Sequence, residues 1–338
     1  MSNLVLSICI PVYNCGLYLP AALDSILSQM TDQTEIVVYD GASTDDTERL
    51  MRAYVSLPNV RYHRGIRRGG IDADLVTCVS NARGEYCWLF SGDDVMRAGA
   101  LDRAMTWIHR GPDVVLCRHT ICDLGMRFIR EYHALLPAEV REAQFADADQ
   151  RVAWFAHAAT TEAFFSFLSS IIVRKSTWDR GGMHGDFASS CWAHAVRLLA
   201  LAPEGLRVSY VPEVWLDQRG ENDSFVGAGV VNRYRIAIEG YHRIGRTLFG
   251  HESQEAYHLR RVLRVEFTFR MFLNAKVLCL EDPERESRAL LDSLYRQLHS
   301  DRSLQSVFLY LAYRLTPGWL AAVLRTGVRG LRRVAGQP

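Results

Sequence analysis

Apolar and polar positions in the first third of the chain follow two periods, and the period switches at regular intervals. Leu4-Val-Leu-Ser-Ile-Cys-Ile10 is a continuous apolar run closed by Pro11, which reads as a strand buried on both faces. Over 18–29, Leu19, Ala22, Leu23 and Ile26 recur at helical spacing on one face. Glu35 to Tyr39 is a second strand, after which Ser43 or Thr44 can cap a helix over 46–55. A short strand over 60–63, a helix near 72–82, a strand over 86–90, a helix over 98–109 and a strand over 113–117 continue the alternation. Such alternation predicts an α/β fold, a parallel sheet with helices on both faces. Ligands in these sheets collect at the carboxyl ends of strands, near a switch in strand order. Asn14, Asp40 and Asp94 each follow such an end, so three polar residues distant in sequence are expected on one rim.

Beyond about residue 120 the alternation weakens. Residues 138–150 are polar and read as a surface helix or loop, and Phe164 to Val173 is an apolar run expected to complete the core. Ser189 to Leu199 begins another helix. Residues 230–300 are helical by spacing, as at Tyr234, Ile238 and Tyr241, which divides the chain into 1–228 and a helical region, 229–338. No Asp or Glu follows Asp301, whereas Arg314, Arg325, Arg329, Arg332 and Arg333 do. From Trp319, Leu320, Val323, Leu324, Val328 and Leu331 can share one helix face. That is the pattern of a helix lying in a membrane interface beside anionic lipid, or of one capping its own core with a solvated basic edge.

Composition narrows the classes. Lys and Arg number 39 and Asp and Glu 38, a net charge of +1, so no nucleic-acid signature is present. The 8 cysteines form no CxxC pair, which fits a reducing, cytosolic compartment. Leu4–Ile10 lacks the basic leader and cleavage site of a targeting segment. The longest apolar stretch, Val307 to Leu324, is broken by Arg314 and Pro317-Gly318, so no membrane-spanning helix is expected.

The chemistry concentrates in Tyr86-Cys-Trp-Leu-Phe-Ser-Gly-Asp-Asp-Val95, an apolar strand running straight into two carboxylates. Ionised aspartates at the inner end of a core strand need positive charge nearby, and the run holds no Lys or Arg. A divalent cation carrying a phosphate-containing substrate answers that need; an Asp-Asp turn with Asp94 capping the next helix is the plainer alternative.

Ile10-Pro-Val-Tyr-Asn14, Ile36-Val-Val-Tyr-Asp-Gly-Ala-Ser-Thr-Asp-Asp-Thr47, Ala82-Arg-Gly-Glu-Tyr86 and Ser91-Gly-Asp-Asp94 together resemble, in order and content, the family 2 glycosyltransferases of GT-A fold. The resemblance covers about the first 120 residues. It implies a Rossmann-like, mostly parallel sheet and metal-dependent transfer of one sugar from a nucleotide-sugar donor. It further implies Mn2+ or Mg2+ held by Asp94, with Asp93 supporting through the ribose, the metal's waters or the sugar. Pro11, Tyr13, Asn14 and Asp40 would line the nucleotide pocket, Tyr13 against the base and Asp40 accepting from a ring N–H. Asp72 would face the nucleotide or the donor sugar. Phe164 to Arg174, with Trp178, more loosely resembles the abequosyltransferase-like branch that builds bacterial O-antigen repeats. That likeness implies a CDP-, UDP- or GDP-linked donor, a polyprenyl-diphosphate-linked saccharide acceptor and work at the cytoplasmic membrane face.

Two departures from the family pattern bear on mechanism. Many inverting members carry an acidic pair where this chain has Cys191-Trp-Ala-His194, leaving His194 or Asp186 as the acceptor's base. A retaining enzyme needs no such base, so stereochemistry stays open. In the loop where relatives place Arg, His and Ser, this chain has Arg219, Asn222 and Ser224; Arg219 would neutralise the leaving diphosphate. A sugar-phosphate nucleotidylyltransferase is disfavoured, since no Gly-rich basic loop follows the first strand. A non-catalytic nucleotide-sugar-binding subunit is the other alternative.

Overall fold

Every residue of β1 (Leu6–Val12) is buried, as a continuous apolar run requires. The computed structural model describes residues 4–320 apart from Met183, Asp223, Ser224, Arg302 and Trp319. The chain separates into two compact units, 1–222 and 223–338.

In the first unit, β1 is followed by α1 (Leu19–Leu27), β2 (Thr34–Asp40), α2 (Thr47–Tyr54), β3 (Val60–Arg64), α3 (Ile71–Ser80) and β4 (Tyr86–Leu89). A two-residue β5 (Val95–Met96), α4 (Ala100–Ile108), β6 (Val114–Cys122), β7 (Phe128–Tyr132), β8 (Arg141–Gln144) and α5 (Ala148–His157) come next. The unit closes with β9 (Ile171–Arg174), α6 (Lys175–Arg180), α7 (Ala193–Leu199) and β10 (Arg207–Arg219). The strands join one sheet in the order β3-β2-β1-β4-β9-β6-β10-β5, with β7 on β6 and β8 on β10. Pairing directions make β3, β2, β1, β4, β6 and β10 run one way, while β9, β5, β7 and β8 run against them. Strand order reverses between β1 and β4, so the carboxyl ends of these two strands flank a switch point.

Local chemistry explains the central strands. Pro11 sits opposite Tyr39 of β2, past the last β1–β4 pair at Cys9 and Leu89, so its missing N–H costs no ladder bond. Trp88, fully buried in β4, donates from its indole N–H to the Ser169 carbonyl at 2.8 Å. Its ring meets Phe90 and Trp215 edge to face, at 6.1 and 5.9 Å.

The middle of this unit differs from the sequence expectation. The polar stretch 138–150 contains β8 and the start of α5, whose Asp147 cap accepts from the Asp149 and Gln150 N–H groups. The apolar run 164–173 is not continuous. Phe165 takes a left-handed φ of 66°, ending the 3-10 turn Thr161–Phe164, and a second turn, Leu168–Ser170, precedes β9. β9 is inserted antiparallel between β4 and β6.

The second unit is helical: α8 (Val230–Ile244), a π-helical turn (Gly245–Phe249), α9 (Gln254–Glu266), α10 (Phe269–Glu281), α11 (Arg288–Leu298) and α12 (Leu304–Leu315). Ser253, Thr268, Ser287 and Ser303 cap α9 to α12, each hydroxyl accepting from the N–H three residues on. Phe272, Tyr295 and Tyr313 form its aromatic core, with Tyr295 stacked on Tyr313 at 4.1 Å. Lys276 is fully buried; its ammonium donates to the Thr316 carbonyl at 2.8 Å and to the Tyr313 carbonyl, and lies 3.6 Å from the Tyr313 ring centre. Burial, with Arg288 nearby, pushes this lysine down to about 8. Lys276→Met strands the Thr316 carbonyl and leaves the Tyr313 carbonyl only the Thr316 N–H, and is expected to cost this unit about 1–3 kcal/mol in chemical denaturation. No helix among the described residues is long and apolar enough to cross a membrane. The expected interfacial tail lies, apart from Leu320, outside the described residues.

Candidate active site

Phe90 continues β4 by donating to the Cys9 carbonyl, which delivers Ser91 to Asp94 to the carboxyl-edge rim. A Cβ on Gly92 would lie 2.8 Å from Val12 and 3.0 Å from the Cys15 sulfur, so only glycine lets this turn close against β1. Asp94 is 2% exposed. One carboxylate oxygen accepts from the Ser169 hydroxyl at 2.6 Å and the other from the Arg219 N–H at 3.0 Å. Ser169 in turn accepts from the Ser91 N–H at 2.9 Å. Asp93 accepts from the Ser91 hydroxyl and from the Asn222 amide at 2.7 Å.

Among the described residues no salt bridge neutralises the charge of this pair. The Arg219 guanidinium is spent on carbonyls, Asp93 at 3.1 Å and Leu124 at 2.6 Å, and stacks 4.6 Å over the Tyr18 ring. Burial, and then the neighbouring Asp93, push the Asp94 carboxyl up to about 7. The same surroundings push the Cys15 thiol up to about 12, burial first and Asp93 next. The group that favours the Asp94 charge from inside the fold is His119, a smaller influence than the Ser169 and Arg219 hydrogen bonds. It is fully buried, 2.7 Å from Glu162, and packed between Tyr132 and Phe167. Burial opposes charging His119, and Glu162 outweighs it, so the imidazole is raised.

Asn14 takes a φ of 52°, a left-handed turn that asparagine tolerates, and its amide oxygen accepts from the Thr44 N–H at 2.7 Å. Its own N–H donates to the Ser43 hydroxyl, so the turns after β1 and β2 are laced together. Tyr13 is 36% exposed with the Arg68 guanidinium 4.1 Å over its ring, a flat cationic surface beside the switch point. Asp40 lies deeper than its expected contact with a base N–H implies. It is fully buried, and its oxygens accept from the Ser43 N–H at 2.7 Å and the Tyr62 hydroxyl at 2.6 Å, with Arg64 at 3.5 Å. Asp40 thus ties β2 to β3 and to the turn that follows. Pro11 is buried in β1.

Asp72 and the expected base meet elsewhere in the unit. Asp72 accepts from the Cys191 N–H at 2.9 Å and the Ala193 N–H at 3.3 Å, capping the start of α7 from a distance. Its neighbour Asp74 is enclosed by two glycines: a Cβ on Gly41 or Gly69 would come within 2.4 or 2.5 Å of its oxygens. His194 is 5% exposed, with Nε2 on the Phe165 carbonyl at 2.9 Å, and burial pulls it down to about 4. A sealed, weakly basic imidazole lacks what an acceptor's base needs, so helix packing accounts for His194 better than catalysis does. Asp186 is exposed in the 3-10 turn Gly185–Phe187. Neither His194 nor Asp186 hydrogen-bonds to Asp93 or Asp94.

Among the described residues, no group of three His, Cys, Asp or Glu side chains could hold a metal unaided. A site completed by substrate phosphates asks less, one or two carboxylates of hard oxygen. Asp93 and Asp94, adjacent and without a salt bridge, fit that demand. Asn222 donates from its amide to Asp93 at 2.7 Å.

Ser169, His119 and Glu162 escaped the sequence reading. Their signals were polar residues inside apolar stretches: two serines in Phe-Leu-Ser-Ser-Ile-Ile172, a histidine within β6, and an acid just before Ala163-Phe-Phe165.

Residues 7–171 match the family model Glycosyl transferase family 2. The chain is 28% identical over 253 residues to abequosyltransferase RfbV of Salmonella typhimurium, covering 73% of this chain and 76% of that protein. Its fold is similar to S. aureus TarS 1-349 in complex with UDP-GlcNAc, with a TM-score of 0.61 at 15% identity over 96% of this chain and 92% of that one. It is also similar to the mannosyltransferase PcManGT from Pyrobaculum calidifontis in complex with GDP-Man and Mn2+, with a TM-score of 0.52 at 18% identity, covering 96% and 86%. Residues 7–171 are thus a Glycosyl transferase family 2 domain, carried on a GT-A fold.

Proposed function

We propose that this glycosyltransferase moves a single sugar from a nucleotide-sugar donor to a lipid-linked saccharide, in bacterial surface polysaccharide synthesis. The observation that carries the reading is buried Asp94 beside half-buried Asp93 at the β1–β4 switch point, with no salt bridge to either among the described residues. The abequosyltransferase likeness supports the pathway, and neighbours in complex with UDP-GlcNAc and GDP-Man support the donor class.

Glycosyl transfer separates charge, leaving the anomeric carbon cation-like and the diphosphate negative. A Mn2+ or Mg2+ ion bound at Asp94 would supply positive charge against that leaving group. Ser169 and the Arg219 N–H fix the Asp94 carboxylate, so it needs no reorientation when the donor arrives. Asn222 holds Asp93 in the same way. The Tyr13–Arg68 pair offers a stacking surface for a nucleobase. Of the two residues considered for the acceptor's base, Asp186 keeps solvent access and His194 does not. The run of arginines without acids after Asp301 and a lipid-linked acceptor support work at the inner membrane surface.

Thermal-shift screening of CDP, UDP and GDP with Mn2+, followed by donor hydrolysis with the best nucleotide, tests the reading. One nucleotide should stabilise the protein in a Mn2+-dependent way and its sugar conjugate should be hydrolysed. Nucleotide binding with no turnover, even with lipid acceptor, would leave a binding subunit instead.

A further inference from the structure

Within the second unit, α12 is built with its apolar side facing outward. Leu304, Phe308, Leu311 and Leu315, spaced four, three and four residues apart, are 91%, 70%, 50% and 79% exposed, and Val307 beside them is 45% exposed. The opposite side holds the helix to the unit through Ser306 and Tyr313, 2% and 1% exposed. Outward apolar spacing at three and four residues is the arrangement of a helix meant for a second apolar phase. The charge of the sequence that follows Asp301 is one-sided. After Asp301 the sequence contains Arg302, Arg314, Arg325, Arg329, Arg332 and Arg333 and no Asp or Glu.

From these two observations we infer that the outward face of α12 docks in the headgroup region of an anionic bilayer. At about 1.5 Å per residue the 12 residues of α12 span roughly 18 Å, too short to cross and long enough to lie flat. Apolar side chains reach the acyl boundary while the arginines of the same segment meet anionic headgroups. A second copy of the chain satisfies the apolar face but brings two basic segments together, so charge favours lipid. The inference rests on the reading above for why an anionic membrane would be the partner. It does not rest on it for the helix face, and donor hydrolysis, which needs no lipid, separates the two.

The test is flotation of the full chain with phosphatidylcholine vesicles and with mixed phosphatidylcholine–phosphatidylglycerol vesicles, comparing wild type with Leu304→Ser/Phe308→Ser/Leu311→Ser. The altered positions are exposed, so the fold is kept, and unchanged donor hydrolysis by the variant confirms it. Wild type should float with the anionic vesicles in a salt-sensitive way, and the triple variant should lose about tenfold or more in bound fraction. Phe308→Trp, still apolar, should retain binding and shift its emission to the blue on the anionic vesicles. Wild type that ignores anionic vesicles, or a triple variant that binds as well as wild type, overturns the inference. A wild-type dimer that the triple variant dissociates assigns the face to a second copy and overturns it too.

Discussion

Asp94→Asn should abolish sugar transfer and, at pH 8 without added metal, make the protein more stable. The two effects have one cause. Asp94 is buried and its carboxyl is pushed up to about 7 by burial and by Asp93, so at pH 8 the fold carries an unfavourable charge. From an ordinary value of 3.8, that displacement corresponds to roughly 4 kcal/mol of strain in the ionised state. An amide has the same shape. Its oxygen can accept from the Arg219 N–H and its NH2 can donate to Ser169, so the surrounding bonds survive. With part of the gain lost to burying the amide, the melting temperature should rise by about 2–6 °C. Activity should move the other way, by about a thousandfold or more, because on the proposed mechanism several kcal/mol of leaving-group stabilisation would depend on an anionic ligand at this position. Unchanged donor hydrolysis in the Asn variant would remove Asp94 from the mechanism.

Divalent-metal affinity should depend on pH with a break near neutrality. A cation and a proton compete for the same carboxylate, so below about pH 7 the apparent Mn2+ affinity should fall about tenfold per pH unit, and above it should level off. Thermal shift with Mn2+ alone, at a series of pH values, measures this. A flat profile from pH 5 to 8 would show that the cation sits elsewhere. The sign for stability is the reverse of an ordinary salt-bridged aspartate. The folded value lies above the unfolded one, so proton uptake by Asp94 stabilises fully below about 3.8, and that stabilisation is lost as pH rises through 7. The stability advantage of the Asn variant should therefore be small near pH 4 and complete above pH 7. Total stability follows a different course, because burial holds His194, His242 and His299 near 4, and unfolding lets them charge below about 6.5.

The parallel strands β1, β2, β3, β4 and β6 were legible because each is a short run set between helices of clear period, whereas β10, which ends at Arg219, was read as part of a loop. The rim was legible too: Asn14, Asp40 and Asp94 end their strands as expected. What could not be read was depth. Asp40 and Asp94 carry the same side chain after the same kind of strand. Asp40 closes on Ser43 and Tyr62, whereas Asp94 is held by residues from β10 and from the turn before β9. The reversal at β9 was hidden because one left-handed residue, Phe165, interrupts a stretch whose composition looks continuous. The surroundings of His194 were hidden for a related reason. Its pattern as a helix residue gives the face but not the Phe165 carbonyl that receives it.

The shell around Asp94 also has an order in time. Ser169 lies 75 residues and Arg219 125 residues further along the chain. On a ribosome adding about 5–20 residues per second, Arg219 is made roughly 6–25 s after Asp94. Ser169 follows Asp94 after roughly 4–15 s at that rate, so the carboxylate first lacks both groups that orient it and then lacks only Arg219. The nascent chain therefore has its nucleotide-side turns early and its oriented carboxylate late, and competence for sugar transfer arrives only with the synthesis of β10.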